Sequence, residues 1–310
     1  MSKRMGNIAA AMIMFAAAFA GAISAEAAIR KSPYVGAISV DAANGAVLFS
    51  DNAKAKGYPA SVTKLMTAYL VLDDVKAGKF KLSDKVVASP VKNAADRWSR
   101  QPSQVGLIAG DAMSVDDLLK VLLVKSANDA AIFLAEKCSG SVGEFVQRMN
   151  RKAKSLGMGD TVYYNPNGLP PPKGAKGGKN NVSTCADLAL LARSLLKNHP
   201  EILRWTSIKV CKVDVPGRDK NGNRIMQKLS FVNHNNVMVK NKLKVINTDG
   251  TEAVDGLKTG YIDAGGSSVI LTGKRGKGRA IVIVMGSNSA KERDETARKL
   301  MSDALDAVSW

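Results

Sequence analysis

A serine and a lysine three residues apart open an otherwise apolar segment, YPASVTKLMTAYLVLD, at residues 58–73. On a helix, positions three apart share a face, with Cβ atoms roughly 5–6 Å apart. Pro59 suits a helix entrance, which would place Ser61 in the first turn. There the helix dipole favours a developing anion and disfavours a protonated Lys64, and burial shifts the lysine toward the neutral amine as well. The pair therefore predicts a serine nucleophile whose proton is taken by a lysine base.

The Ser-x-x-Lys spacing recurs in the chain, so it identifies a site only in combination with other residues. Ser89–Lys92 has the same spacing but contains Pro90, and Ser194–Lys197 lies inside a predicted helix, where the lysine is expected to be solvated. Neither His199 nor His234 has the context of a Ser-His-Asp triad. We expect a helix-end role for the first histidine. For the second, a packing role is favoured over the alternative of a place near the site.

Two further segments supply what a Ser–Lys mechanism needs. Lys258, followed by Thr259 and Gly260 on a predicted strand, provides a second cation that would keep the first lysine neutral and bind a substrate carboxylate. The glycine would let a substrate backbone approach closely. Ser126 and Asn128, in a Ser-Ala-Asn turn between two predicted helices, are placed to carry a proton to the leaving group.

Local patterns indicate the elements that must position these groups. Strand pairs are predicted around the turns at Asn44-Gly45, DKNGN and GKRGKG, and helices begin at the capping residues Ser114, Ser141 and Thr184. The last predicted element is an amphipathic helix, AKERDETARKLMSDALDAV. Strands thus stand at both ends with helices between them. This order favours an α+β fold, an antiparallel sheet flanked by helices with a helical insertion, over alternating βαβ units.

Ser-x-x-Lys, Ser-x-Asn and Lys-Thr-Gly occur in that order along the chain, which resembles the penicillin-recognising serine enzymes. PASVTKLMTAYLVLD, LLVKSANDAAIFLAE, VDGLKTGYIDAGG and MGSNSAKERDETARKLM are similar to segments of the low-molecular-mass D-alanyl-D-alanine carboxypeptidases. The resemblance covers roughly residues 29–310 and implies a β-lactamase/transpeptidase-like fold. It also implies a substrate, the peptidoglycan stem peptide ending in D-Ala-D-Ala.

For the acyl transfer, the resemblance implies that Ser61 attacks the carbonyl between the two D-alanines and that Lys64 acts as general base. The backbone N–H groups of Ser61 and Tyr261 would hold the oxyanion. Ser126 would relay a proton to the departing D-alanine. Many relatives carry histidine where this chain has Tyr261, a departure that bears on substrate tuning and leaves the main-chain role intact.

For substrate binding, the resemblance implies that Asn128 orders the lysine base and the substrate amide. Lys258 and Thr259 would bind the terminal carboxylate beside Gly260. Arg293, in the last predicted helix, matches an arginine that the family uses near that carboxylate. The alternative for Arg293 is an exposed helical arginine with no role in the site.

Residues 1–27 have the composition of a secretory signal peptide, with Lys3 and Arg4 before an uncharged alanine-rich run and an Ala25-Glu26-Ala27 cleavage pattern. An uncleaved membrane anchor is the alternative, since the run is just long enough to span. Residues 28–310 are expected to form one catalytic domain, periplasmic or secreted. Because many relatives continue into a β-rich domain and an amphipathic anchor, we expect this chain, which stops at Trp310, to lack both.

Composition bounds the partners. The net charge of +18 draws the chain to anionic cell-wall polymers and carboxylated peptides, whereas 5% aromatic residues and scattered lysines do not form a nucleic-acid-binding pattern. We expect β-lactams as covalent inhibitors, no nucleic acid, and no membrane span after cleavage. No metal-ligand cluster or nucleotide loop is found in the sequence, so no metal or cofactor is expected. Cys138, Cys185 and Cys211 are widely spaced and expected to be buried, inert thiols.

Three alternatives share these motifs. A DD-endopeptidase would cut cross-links with the same residues. A β-lactamase is disfavoured, because the class A enzymes activate water with a glutamate, and the stretch MGDTVYYNPNGLPPP contains only one acid, Asp160. A non-catalytic wall-binding module is disfavoured because all three motifs are intact.

Overall fold

The computed structural model describes residues 29–90, 103–171 and 177–308. The predicted signal peptide lies outside the described residues, and so does Lys92 of the second Ser-x-x-Lys segment. Within the described ranges, every helix is too short or too polar to cross a membrane.

The strands and helices alternate in blocks along the chain. In chain order, the strands are β1 Gly36–Asp41, β2 Val47–Asp51, β3 Lys85–Val87, β4 Ala112–Ser114, β5 Val210–Arg218, β6 Arg224–Val232, β7 Val254–Ile262, β8 Gly266–Arg275 and β9 Gly278–Ser287. The α-helices are α1 Lys64–Lys76, α2 Val115–Lys120, α3 Asn128–Ser139, α4 Val142–Ser155, α5 Cys185–Asn198, α6 Leu203–Thr206, α7 Asn236–Val239 and α8 Ala290–Val308. A π-helical turn, Val121–Lys125, links α2 to the segment before α3, and a 3₁₀ turn, Ala60–Thr63, precedes α1.

The central sheet has five antiparallel strands in the order β2-β1-β9-β8-β7. The first hairpin turns at Asn44-Gly45, where Gly45 has φ +83°, as the sequence predicted. The last three strands form a meander in which Lys258 pairs with Ile270 on the neighbouring strand. The strand that carries Lys258 thus forms one edge of the sheet, so its outer side is free to face another element.

Alternation along β9 divides the core into two layers. Ile281 and Ile283 face the cluster built by the helices of the insertion, whereas Val282 and Val284 face α8. Side chains on a strand alternate between its faces, so a strand buried on both faces reads as a continuous apolar run. The predicted antiparallel sheet covered by helices is therefore confirmed.

The predicted helix starts in the insertion are confirmed by their caps. Ser114 Oγ accepts from Asp117 N at 3.1 Å, and Ser141 Oγ accepts from Glu144 N at 3.2 Å. Thr184 Oγ1 caps α5 in the same way, at 3.1 Å from the backbone nitrogen three residues on. Such caps satisfy N–H groups that have no partner inside the helix.

The cysteine prediction holds in part. All three thiols are free, and Cys185 and Cys211 are buried, but Cys138 is only partly buried. Burial is the main cause that raises the pKa of each thiol. A raised pKa keeps a thiol protonated and unreactive near neutral pH.

Candidate active site

The side chain of Lys64 is the hub of the site. Its Nζ lies 2.8 Å from Ser61 Oγ, 2.8 Å from Asn128 Oδ1 and 2.8 Å from the backbone oxygen of Asn167. Lys64 is fully buried, with 0% of its surface exposed. The serine and the lysine that the sequence paired are therefore in contact, and two distant segments meet on the same nitrogen.

The surroundings of Lys64 favour its neutral form. The pKa of Lys64 lies well below its ordinary value. Burial is the largest cause, and the charge of Lys258 is the next; Asp129 has a smaller, opposing effect. A neutral amine has two N–H donors and one lone pair. The two carbonyl oxygens, from Asn128 and Asn167, take the donors, and the lone pair is left to accept from the hydroxyl of Ser61. This pattern suits removal of the serine proton.

The local structure at the serine differs from the prediction by a few residues. Ser61 lies in the 3₁₀ turn Ala60–Thr63, and the α-helix begins only at Lys64. Ala60 has φ +49°, a conformation that side chains other than glycine rarely adopt. The kinked entry, with Pro59 before it, presents the hydroxyl at the floor of a cleft rather than along a regular helix face.

Ser126 and Asn128 come from the sharp turn between the π-helical turn and α3. Ser126 has φ +64°. Its Oγ is buried and finds no hydrogen-bond partner within the described part of the chain. A buried hydroxyl without a partner is costly. Because Ser126 lines the cleft, its hydroxyl can hydrogen-bond to a molecule bound there.

Asn167 was missed by sequence reasoning. Its turn is held against the start of α1, where Thr67 Oγ1 donates to the backbone oxygen of Pro166 at 2.6 Å. Gly168 has φ +80°, and a Cβ there would lie 1.8 Å from the backbone oxygen of Ala60. The Pro-Asn-Gly run signals a turn, but local sequence gives no indication of which side chain its carbonyl groups reach.

Lys258, the second predicted cation, is also buried, with 2% of its surface exposed. Burial first, and then the charge of Arg293, lower its pKa to about 7 from an ordinary value of 10.5. Its Nζ donates to the backbone oxygen of Thr259 at 3.0 Å. Thr259 and Gly260, the next two residues on β7, line the same cleft as Ser61, and Gly260 approaches the backbone of Ser61. The strand that carries Lys258 therefore lies against the serine nucleophile, as the sequence predicted.

Gly260 makes a contact that the sequence analysis did not predict. A Cβ at this position would lie 2.6 Å from the oxygen of Pro59 and 3.0 Å from the nitrogen of Ser61. The missing side chain therefore lets the edge of β7 press directly on the 3₁₀ turn that carries Ser61. The close approach is made by the protein's own backbone.

Arg293 lies at the site, so the alternative of an exposed helical arginine is wrong. Only 4% of its surface is exposed, and its Nε and Nη2 donate to Asp294 Oδ1 at 2.8 Å and 2.6 Å. His234 also lines the same cleft, where sequence reasoning expected a packing role. Partial burial, followed by the charges of Lys258 and other nearby cations, lowers the pKa of His234 to about 4.

A cleft of about 870 Å³ opens above these groups. Seven predicted residues line it: Ser61, Ser126, Asn128, Thr259, Gly260, Tyr261 and Arg293. Lys64 contacts two of them, Ser61 and Asn128, and Lys258 directly precedes Thr259 on β7. Tyr261 is 55% exposed, and its hydroxyl donates to Asp263 Oδ1 at 2.7 Å. The structure thus brings seven of the nine predicted site residues to the wall of one cavity, with Lys64 and Lys258 next to them in contact or in sequence.

The competing motifs lie elsewhere. Ser194 Oγ contacts the Tyr69 hydroxyl at 2.7 Å on the buried side of α5, while Lys197 is exposed. Ser89 Oγ donates to Glu136 at 2.8 Å. The Nε2 of His199 pairs with Asp73 at 2.8 Å and its Nδ1 with a second carboxylate, so no serine completes a triad there.

The acid that a β-lactamase would need is not supplied by Asp160. Its carboxylate lies 3.2 Å from the Nζ of Lys56 and does not line the cleft. The same stretch of chain instead contributes the Asn167 carbonyl to the amine of Lys64.

Comparison with known proteins identifies the family of the chain. Residues 24–289 match peptidase family S11, described as D-alanyl-D-alanine carboxypeptidase. D-alanyl-D-alanine carboxypeptidase DacF of Bacillus subtilis (strain 168) is 33% identical over 273 residues, which are 87% of this chain and 61% of that protein. The chain thus spans less than two thirds of this relative.

Two solved structures are similar over most of the chain. The crystal structure of D-alanyl-D-alanine carboxypeptidase DacD from Francisella tularensis has a TM-score of 0.74 at 27% identity, covering 90% of this chain and 72% of that one. Penicillin-Binding Protein D2 from Listeria monocytogenes, in its ampicillin-bound form, has a TM-score of 0.68 at 30% identity, covering 88% and 97%. With its three motifs in one cleft and the family match across residues 24–289, the chain belongs to the D-alanyl-D-alanine carboxypeptidase family.

Proposed function

We propose that this protein is a serine carboxypeptidase that removes the terminal D-alanine from peptidoglycan stem peptides through an acyl-enzyme. The observation that carries the proposal is the contact of Ser61 Oγ with a buried lysine whose other two partners are carbonyl oxygens. That arrangement supports a neutral amine base beside a hydroxyl nucleophile. Family membership supplies the substrate class.

In the acylation step, Ser61 Oγ attacks the carbonyl carbon of the penultimate D-alanine, and its proton passes to Lys64 Nζ. The backbone N–H groups of Ser61 and Tyr261 stabilise the oxyanion. The C–N bond then breaks, and the leaving amine takes a proton through the hydroxyl of Ser126. This assignment gives the partnerless Oγ of that serine a use.

The terminal carboxylate of the substrate is bound at the cationic end of the cleft. Lys258 supplies an ammonium, Thr259 a hydroxyl, and Arg293 a guanidinium whose geometry suits a carboxylate. An anion there also raises the pKa of Lys258 from its value of about 7 in the free protein. Substrate binding would therefore hold Lys258 charged and Lys64 neutral.

Deacylation uses water as the second nucleophile. Lys64 takes a proton from the water as its oxygen attacks the ester carbon, and the Ser61 Oγ–C bond breaks with the proton returned to Ser61. A proton-transfer group of this kind contributes on the order of 10²–10⁴-fold to a rate. Asn128 keeps the amine oriented through both steps.

Labelled penicillin tests the nucleophile. The relative from Listeria monocytogenes was solved in an ampicillin-bound form, which supports β-lactam binding here, and the Ser61 nucleophile would make that binding covalent. We expect the label to attach to the wild-type protein and Ser61→Ala to abolish attachment. Ser194→Ala, at the decoy Ser-x-x-Lys segment, is the matched control and should label normally; label that persists on Ser61→Ala would refute the assignment.

A pentapeptide and a cross-linked muropeptide distinguish the proposed activity from its nearest alternative. Free D-alanine released from the pentapeptide identifies a carboxypeptidase. Monomers released from the muropeptide identify a DD-endopeptidase, which would use the same residues.

Action on peptidoglycan requires a location outside the cytoplasm, so we propose that the protein is periplasmic or secreted. Removal of residues 1–27 would leave residues 28–310 as the catalytic domain. The strongly basic composition would favour contact with the anionic cell wall.

A further inference from the structure

The cleft is lined by charges of opposite sign. Arg293 and Lys240 are among its lining residues, and the charge of Arg293 acts on the buried Lys258. Asp263, directly after β7, is the only acidic side chain that lines the cleft among the described residues. A ligand that carries both an anion and a cation would complement these charges.

The carboxylate of Asp263 is oriented by the chain but not neutralised by it. Its Oδ1 accepts the hydroxyl hydrogen bond of Tyr261 at 2.7 Å, and this bond is the main cause that raises the pKa of Tyr261. Of the cations in the described ranges, Arg30 acts electrostatically on the tyrosine, yet none forms an ion pair with Asp263. The negative charge is therefore available to a ligand.

The order of groups along β7 fixes the direction in which a peptide lies. Its terminal carboxylate belongs beside Lys258 and Thr259, and the bond that is cut lies at Ser61, next to Gly260. The rest of the peptide must then extend past Tyr261 toward Asp263. The side chain that can reach Asp263 belongs to the residue just before the two D-alanines.

The lengths agree. Thr259 and Asp263 are four positions apart, which is about 13 Å along an extended chain. In the substrate, the last residue and the third from the end are separated by about 7 Å. A four-carbon side chain ending in an amine reaches roughly 6 Å further. When it is directed along β7, its amine therefore comes level with Asp263.

We propose that Tyr261 and Asp263 form a subsite for the free side-chain ammonium of a diamino acid that immediately precedes the D-Ala-D-Ala terminus. The subsite deepens the proposed function and rests on it. Acylation of that amine, as in a cross-link through the same residue, removes the charge. The enzyme would therefore prefer stem peptides whose own side-chain amine is still free.

Two tripeptides test the subsite: Nα-acetyl-L-Lys-D-Ala-D-Ala with its side-chain amine either free or acetylated. We expect the wild-type protein to hydrolyse the free-amine peptide with a kcat/KM about two- to fivefold higher, the size typical of an exposed ion pair. Added salt should reduce this ratio, because salt screens charges at the surface.

Three variants, each confirmed as folded by circular dichroism, assign the preference to Asp263. In Asp263→Asn the ratio should fall to about one, whereas Asp263→Glu, which keeps the charge, should retain a preference. Asp303→Asn removes the same charge from an exposed position on α8 outside the cleft and should keep the wild-type ratio.

The outcomes separate the subsite from the activity. If the wild-type protein releases D-alanine from neither peptide, the proposed function fails and the subsite fails with it. If it hydrolyses both peptides at equal rates, or if Asp263→Asn keeps the wild-type ratio, the subsite alone is overturned.

Discussion

Two buried lysines in one cleft must hold different protonation states. Lys64 can act as a base only when neutral, whereas Lys258 can bind a carboxylate only when charged. Burial is the main cause that lowers the pKa of both. The charge of Lys258 adds to the effect on Lys64, and the charge of Arg293 adds to the effect on Lys258. Because the pKa of Lys258 is about 7, this amine begins to lose its proton near neutral pH in the free protein.

This arrangement predicts the upper limb of the pH profile. Because the pKa of Lys258 is about 7, the second-order rate constant for penicillin acylation should fall above pH 7, approaching tenfold per pH unit. The lower limb should appear where Lys64 gains a proton. In Lys258→Arg the guanidinium stays charged, so we expect the upper limb to move to higher pH even if the rate is reduced.

Stopped-flow acylation between pH 5 and pH 10 would measure the upper limb. Lys220→Arg, in the exposed turn between β5 and β6, makes the same substitution far from the cleft and serves as the control. An upper limb that stays in place in Lys258→Arg would show that another group titrates there.

At the scale of elements, the site depends on how closely β7 approaches the 3₁₀ turn before α1. The strand is an edge strand, and Gly260 is the point of contact with Ser61. Only a residue without a Cβ permits this distance. The spacing of the nucleophile from the predicted oxyanion donors is thus set by one glycine.

Gly260→Ala should lower the acylation rate by about 100-fold, since displacements near 1 Å have effects of that size. Its Cβ would meet backbone atoms of Pro59 and Ser61, which cannot move without shifting the nucleophile. We also expect a loss of about 1–3 kcal/mol in the free energy of unfolding from overpacking.

Gly159→Ala is the matched control, because a Cβ there meets no atom within 4 Å. It should label with penicillin at the wild-type rate. Acylation kinetics and urea unfolding of the two variants give the comparison, and a Gly260→Ala protein that acylates normally would contradict this account of the contact.

The elements were predictable where their signals are local. Ser114, Ser141 and Thr184 announce helices because a cap needs only its own next three residues, and the Asn44-Gly45 turn is equally self-contained. The carbonyl of Asn167 at Lys64 was not predictable, because the contact joins residues 103 positions apart. The contact of Gly260 with the backbone of Pro59 and Ser61 was not predictable for the same reason.

Over the whole molecule, the site lowers stability. Lys258 has a pKa of about 7 when folded and an ordinary value of 10.5. Between these values the unfolded chain binds more protons than the folded one, so this group makes the free energy of unfolding rise with pH across that window. Below pH 7 both states are protonated and the cost of burying the charge is fully present.

Lys258→Met should therefore be more stable than the wild type at pH 7, by about 1–4 kcal/mol, while losing substrate binding. Urea unfolding at pH 7 and at pH 9 would show a smaller rise with pH in the variant than in the wild type. Lys220→Met, at an exposed position, should leave both values nearly unchanged. A Lys258→Met protein no more stable than the wild type would mean that the buried ammonium is better compensated than its surroundings suggest.

The nitrogen of Lys64 joins three parts of the chain that no single element holds together: the turn before α1, the start of α3 and the turn at Asn167. Each contact is 2.8 Å long. The one with Ser61 passes the proton, and the other two hold the amine in position for that transfer. A small displacement of these segments relative to one another on warming would abolish activity while the sheet and helices are still folded. The highest temperature at which the protein is active is then set by the alignment of these three segments rather than by the unfolding of the whole domain.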